Sequence, residues 1–256
     1  MKLFDSHAHY NDEKFEDDRD LIIKEIFEFG VERFVIAGYN LDASKNGIEI
    51  ANNYENVYAT VGISPNDLNT RLDFDEVVEL AKNKKVVAIG EIGLDYYWNK
   101  ENKETQKEAF KKQIEIANSL DLPIVIHTRE AVYDTLDILK NEIKSKNTGI
   151  FHCCPLNVEL IKEAVKLGYY ISFSGNITFK NSKNACKCIL EVPMDKILIE
   201  TDSPYMSPEP HRGKRNDSRN VKYVAQKISE VLGKDIDEIA RITFENANRV
   251  FKIKEV

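Results

Sequence analysis

Six residues in this chain have the types and placement to hold divalent cations and activate water: His7, His9, Glu91, His127, His152 and Asp202. His7, His127 and His152 each follow a short apolar run, and His9 lies two residues beyond His7. Glu91 directly follows the run VVAIG, and Asp202 stands just past KILIE. Imidazole nitrogen combined with carboxylate oxygen suits Zn²⁺, Mn²⁺, Ni²⁺ or a similar ion, with no thiolate needed. Four histidines and two carboxylates exceed the needs of one tetrahedral ion. They suffice for two ions about 3.5–4 Å apart with a bridging carboxylate. A His-X-His pair can direct both rings one way because residues i and i+2 share a strand face. Singly, each residue has an ordinary reading: a hydrogen-bonded loop histidine, a Glu91 paired with a lysine, an Asp202 chosen for its turn. Those readings must all hold at once at separate strand ends, whereas one metal centre accounts for every position.

The elements that must position these groups alternate regularly. Short β-branched runs at residues 3–6, 33–37, 58–61, 86–90, 124–126, 149–151, 170–173 and 196–199 read as strands. Longer charged stretches of helical period separate them. In residues 104–120, for example, Phe110, Ile114 and Ala117 share one face, and residues 221–232 and 236–250 form two further helices. VVAIG, PIVIH and KILIE are nearly continuous in apolar character, as parallel strands buried on both faces require. Eight strand–helix units predict an α/β fold, a closed (β/α)₈ TIM barrel, and not an open doubly wound sheet. The C-terminal ends of barrel strands converge on one face, which would gather residues distant in sequence. No Pro-, Gly- or Ser-rich linker divides the chain, so residues 1–256 are expected to form one domain. Residues 203–220, with Pro204, Pro208 and Pro210, read as a loop on the same face.

Composition narrows the function classes. With 42% hydrophobic and 31% charged residues the chain is of ordinary globular type, and its formal net charge of −7 argues against a broadly basic nucleic-acid-gripping surface. A local basic patch beside a cation remains compatible with that charge. No signal-peptide h-region and no apolar run of membrane-spanning length occurs, so no membrane partner is expected. The four cysteines (Cys153, Cys154, Cys186 and Cys188) are too close in pairs for a disulfide framework, which predicts a cytoplasmic location. Cys186 and Cys188 are expected to pack in the helix after strand seven.

The motifs Asp5-Ser6-His7-Ala8-His9, Gly90-Glu91-Ile92-Gly93-Leu94-Asp95-Tyr96, Ile126-His127-Thr128-Arg129, Phe151-His152-Cys153 and Glu200-Thr201-Asp202-Ser203-Pro204-Tyr205 resemble those of TatD-type metal-dependent hydrolases. Pro210-His211-Arg212-Gly213-Lys214 and residues 168–175 fit as well, and the resemblance runs in order from residue 3 to about residue 251. It implies the distorted (β/α)₈ barrel of the amidohydrolase superfamily. By position it implies that His7 and His9 bind a first divalent ion, His127 and His152 a second, and that Glu91 bridges them. Asp202 would sit on the first ion beside the attacking water. The ions would be Zn, Mg, Mn or Ni. The implied activity is that of a deoxyribonuclease, a 3′–5′ exonuclease on single-stranded DNA, with DNA as partner and no obligate protein partner. One departure stands out. Gly62-Ile63-Ser64-Pro65 carries Ser64 where the family commonly has histidine; Ser64 can donate to a phosphate oxygen but carries no charge.

Beyond the ligands, Ser64, Arg129, His211 and Arg212 are the candidate substrate contacts; Lys214 and Arg215 belong to the same basic cluster that would pair with phosphates, with a solvated loop as their ordinary alternative. For Arg129 the ordinary alternative is a salt bridge to Glu130 or another carboxylate. Tyr96, Tyr97 and Trp98 could stack on bases, with loop packing favoured for Tyr96 and stacking for Trp98. Two other function classes stay open: an ester or amide hydrolase of amidohydrolase type, such as an aminoacyl-RNA deacylase, and a non-catalytic single-stranded nucleic-acid-binding protein. The first is weakened because many amidohydrolases place a carboxylated lysine where this chain has Glu91.

Overall fold

The computed structural model describes residues 1–69 and 72–254. Its eight strands are β1 (Leu3–Ala8), β2 (Val31–Ile36), β3 (Val57–Val61), β4 (Val86–Asp95), β5 (Ile124–Arg129), β6 (Ile150–Phe151), β7 (Tyr170–Phe173) and β8 (Ile197–Ile199). They pair in sequential order, all in parallel. A bridge between Ala8 and Ser203 brings the chain beyond β8 against β1, so the sheet is a nearly closed barrel. Around it, among the described residues, lie α1 (Arg19–Phe29), α2 (Leu41–Asn52), α3 (Phe74–Leu80), α4 (Lys103–Leu120), α5 (Val132–Asp137), α6 (Val158–Lys166), α7 (Ala185–Leu190), α8 (Val221–Leu232) and α9 (Ile236–Val250). The protein is a single-domain (β/α)₈ barrel.

Local chemistry explains where the helices start. Asn40, Asp73 and Asn157 precede α2, α3 and α6, and each side chain accepts a hydrogen bond from the third residue on, satisfying a first-turn amide. Phe110, Ile114 and Ala117 of α4 are buried together as the 3.6-residue period requires. Among the described residues no helix is long and apolar enough to cross a membrane.

Two alternating residue sets divide the strands. Ile36, Ile89, Ile124, Ile126, Phe151, Ile171 and Ile199 face the helices in the main core. Phe4, Val35, Val87, Val125, Ile150, Tyr170 and Leu198 form a second cluster in the barrel interior, closed by Phe244, Val250 and Phe251 at the end of α9. Phe4 meets Phe251 in a stack with 6.0 Å between ring centres and Phe244 edge-on at 5.9 Å. Each fully buried ring or aliphatic side chain here contributes roughly 1.5–3 kcal/mol. Period two then puts His127 two residues above Val125, His152 above Ile150 and Glu200 above Leu198, on the same interior face. The polar layer rests directly on an apolar plug.

Three strands run past their expected ends. β1, β4 and β5 continue through Ala8, Asp95 and Arg129, so His7, Glu91 and His127 lie within strands and not after them. Main-chain pairing persists there after the apolar pattern has ended, with register irregularities between Asp5 and Ala8 and between Ile89 and Ile92. The expectation for the cysteines also needs correcting. Cys188 is buried in α7, but Cys186 is exposed, because residues two apart on a helix point to nearly opposite sides and only one side of α7 meets the barrel.

Candidate metal centre

The six expected residues converge at the C-terminal mouth of the barrel. Glu91 lies between two histidine pairs. Its Oε2 faces His7 Nε2 at 3.5 Å and His9 Nε2 at 3.9 Å, while Oε1 faces His127 Nδ1 at 3.1 Å and His152 Nε2 at 3.6 Å. Asp202 Oδ1 lies 3.3 Å from His9 Nε2 and 3.7 Å from His7 Nε2. Within the pairs, His7 Nε2 is 3.2 Å from His9 Nε2, and His127 Nδ1 is 3.1 Å from His152 Nε2. The rings of His7 and His152 stack with centres 4.0 Å apart.

Three overlapping sets bring their donor atoms within 4.8 Å of one another: His7, His9 and Glu91; His7, His152 and Asp202; Glu91, His127 and His152. Four imidazoles whose ring nitrogens crowd one another beside one buried and one partly buried carboxylate would be costly without shared positive charge. The donor set fits divalent cations with mixed nitrogen and oxygen ligation.

Both carboxylates are held toward the ionised form. Burial alone would push Glu91 up, but the charge on His152 and hydrogen bonds from His127, His152 and His7 hold it well below the usual range. Asp202 is likewise pushed up by burial and brought below its ordinary value by the hydrogen bond and charge of His9.

Two supporting carboxylates have no place in the reading of the sequence. Asp95 Oδ2 lies 2.9 Å from His127 Nε2, and Glu200 Oε1 lies 3.5 Å from His152 Nδ1. Each addresses the ring nitrogen that faces away from Glu91, which fixes ring orientation and raises ligand basicity. Burial raises Asp95, yet hydrogen bonds from His127 and the Trp98 amide bring it down to about 2. For Asp95 a usable signal existed: Glu91 and Asp95, four apart on β4, share a face. Asp95→Asn is expected to weaken divalent-ion binding by about tenfold to a hundredfold, as such supporting partners typically do. Titration against a chelating dye checks this, and an unaltered affinity would remove Asp95 from the role.

Asp202 is held by the seam between β1 and the segment after β8. Asp202 N donates to His7 O at 2.9 Å and His9 N to Ser203 O at 2.6 Å. Beneath them Asp5 accepts from Thr201 N at 2.9 Å, Thr201 Oγ1 at 2.5 Å and Ser218 Oγ at 2.6 Å. Burial pushes the Asp5 carboxyl up to about 7, despite those donors.

The centre opens into a cleft of about 670 Å³ lined in part by Tyr39, Ser64, Asn66, Trp98, Arg129 and Tyr205. Ser64 is buried on its wall, where its Oγ accepts from Asn66 N at 3.2 Å. Arg129 is exposed at the rim; the alternative of a salt bridge to Glu130 is not realised, and its guanidinium covers the Tyr97 ring at 3.8 Å. Tyr96 packs as expected, buried, its hydroxyl donating to Asp134 Oδ2 at 2.6 Å. His211 and Arg212 are not brought to this cleft. His211 Nε2 sits 3.1 Å from Tyr223 Oη, in a separate depression with Lys214 and Arg215. Arg212 Nη1 donates to Ser207 O and its guanidinium covers Phe179. The loop is pinned through Asn216 and Ser218, which turns these two side chains outward. Arg215, a candidate phosphate contact with a solvated loop as its alternative, is paired with Asp18.

Known proteins agree with this architecture. A family model described as TatD related DNase matches residues 4–252. The chain is 43% identical over 253 residues to the metal-dependent hydrolase YabD of Bacillus subtilis (strain 168), covering 98% of this chain and 99% of that protein. It is 36% identical over 256 residues to YcfH of Escherichia coli (strain K12), also named a metal-dependent hydrolase, covering 99% and 97%. The crystal structure of YjjV, a TatD homolog from Escherichia coli K12, superposes with a TM-score of 0.91 at 26% identity over 98% of both chains. With the donor set at the barrel mouth, these matches establish that the chain belongs to the TatD family of metal-dependent hydrolases.

Proposed function

We propose that the centre holds two divalent ions and hydrolyses phosphodiester bonds in DNA, acting as a 3′–5′ exonuclease on single strands. The observation that carries this reading is the division of Glu91, whose two oxygens face different histidine pairs at 3.5 and 3.1 Å. Glu91 set between the two histidine pairs could serve a pair of ions, the kind of site used for in-line displacement at phosphorus. When bound, the ions would supply Lewis acidity toward the phosphoryl oxygens and make water nucleophilic near neutral pH. Asp202, held toward the ionised form beside His9, would take the proton of the attacking water. Arg129 would pair with a phosphate oxygen, and Ser64 would donate to one where the family commonly has histidine. A cleft of about 670 Å³ is small-molecule-sized, which favours a strand end or an unpaired stretch over a duplex. The family model's description as a DNase supports the same substrate.

The test is cleavage of a 5′-labelled single-stranded oligodeoxynucleotide under Mg²⁺, Mn²⁺, Zn²⁺ and Ni²⁺, with an aminoacyl ester as competitor at equal metal occupancy. A ladder shortening from the 3′ end is expected. Ester hydrolysis without strand cleavage would overturn the reading in favour of a deacylase; binding without turnover under all four ions would leave only a nucleic-acid-binding protein.

A further inference from the structure

The rim of the cleft places two aromatic side chains, Tyr97 and Trp98, beside Arg129, and the proposed hydrolysis gives those two rings no role. Arg129 stands two residues beyond His127 on β5, and its guanidinium lies flat over Tyr97 at 3.8 Å. Among the described residues that guanidinium has no hydrogen-bond or ion-pair partner, so all five of its N–H donors are available. Trp98 meets Tyr97 edge-on, with ring centres 4.7 Å apart at 87°, and is 65% exposed. Among the described residues Arg129 is the only Lys or Arg lining this cleft, whose wall otherwise includes Asp12, Asp67, Glu91 and Asp202.

The group is built, and not merely a loose loop. Asp95 Oδ1 accepts from Tyr97 N at 2.9 Å and from Trp98 N at 3.0 Å, while its other oxygen lies 2.9 Å from His127. Gln106 Oε1 accepts from Asp95 N at 2.8 Å, anchoring the turn to α4. The aromatic rim is therefore tied through one carboxylate to a candidate ligand of the centre. An indole face left open to water, beside an unpaired planar cation and a cation-binding centre, offers stacking on one side and anion pairing on the other.

We propose that Tyr97, Trp98 and Arg129 form a subsite for one unstacked nucleobase and its adjoining phosphate, next to the bond that is cut. Trp98 stacks on the base, Tyr97 backs the guanidinium, and Arg129 grips the phosphate through its free edge. Stacking is indifferent to base identity, since every base has a π-face, but it requires the base to be out of a duplex. This subsite thus selects unpaired strands without reading sequence. The inference rests on the nucleic-acid reading above.

Trp98 is the chain's only tryptophan, so its emission reports this one position. The full-length D202N variant loaded with Mg²⁺ would be titrated with a short single-stranded oligodeoxynucleotide and with the same strand carrying abasic residues at its 3′ end. The base-bearing strand should quench Trp98 and bind about tenfold or more tighter than the abasic strand, the range expected for one stacked base. In anisotropy measurements with labelled strands, Trp98→Ala should collapse that ratio to near one, and Trp98→Phe should restore part of it. Equal affinities for the two strands, or saturable binding with unchanged emission, would overturn the subsite. Quenching with no strand cleavage by the wild type would leave the subsite standing and defeat the phosphodiesterase reading; cleavage without base dependence would do the reverse.

Discussion

Glu91→Gln should strip the protein of bound divalent ions and reduce hydrolysis by about a thousandfold or more, beyond what loss of one proton-transfer group alone typically costs. Among the described residues Glu91 is the one carboxylate with ring nitrogens from all four converging histidines within 3.9 Å. Glutamine keeps the volume, but it offers one oxygen acceptor in place of two charged ones, so it can serve one histidine pair and not both. Asp202→Asn should separate from it. Asparagine can still present an oxygen beside His9, so part of the metal is retained, while proton acceptance is lost and turnover falls about a hundredfold to ten-thousandfold. Elemental analysis of the purified variants, paired with turnover at saturating metal, distinguishes the two patterns. Wild-type turnover in both variants would sink the proposed centre.

The second large effect is on folding. Gly93→Ala should destabilise the protein by about 3 kcal/mol or more, lowering Tm by roughly 6 °C or more for a chain of this size. Gly93 adopts φ +139°, a conformation L side chains rarely take, and sits opposite His127 in the β4–β5 pairing. A Cβ there would overlap the His127 carbonyl oxygen, which is backbone and cannot swing aside. The strands would have to separate at the residue whose ring faces Glu91, so metal content should fall as well. Gly168→Ala is the control: its φ is +91°, but nothing lies within 4 Å of the added methyl. It should cost only about 1 kcal/mol of backbone strain. Similar thermal shifts for the two variants would show that crowding at Gly93 is not the determinant.

Much of this arrangement was legible because it depends on two strong regularities. The apolar runs marked all eight strands, and barrel closure then forces their ends together whatever lies between. That is why His7, His127 and His152, spread along the chain, could be assigned to one place. Strand ends were harder. Gly90 and Glu91 break the apolar pattern, yet pairing continues to Asp95, since side chains above the plug face a polar mouth and need not be apolar. Asp95 and Glu200 escaped notice for a related reason: a carboxylate in a motif reads as a ligand or a turn residue, and only geometry shows it behind a histidine. His211 and Arg212 were misplaced because composition suggests a basic loop but cannot show which way it is pinned. Asn216, donating to Thr201 O at 2.9 Å and Tyr205 O at 2.6 Å, decides that.

The seam joining Asp5 to Thr201 and Ser218 also bears on how the protein is made. Its hydrogen bonds span 196 and 213 positions, so they close only when the end of the barrel has emerged from the ribosome and folded back. A nascent chain halted before β8 would already carry four imidazoles and Glu91, but neither Asp202 nor the contacts that orient it. Loops closed over such distances form late, so the role proposed for Asp202 would become available only once the barrel is shut.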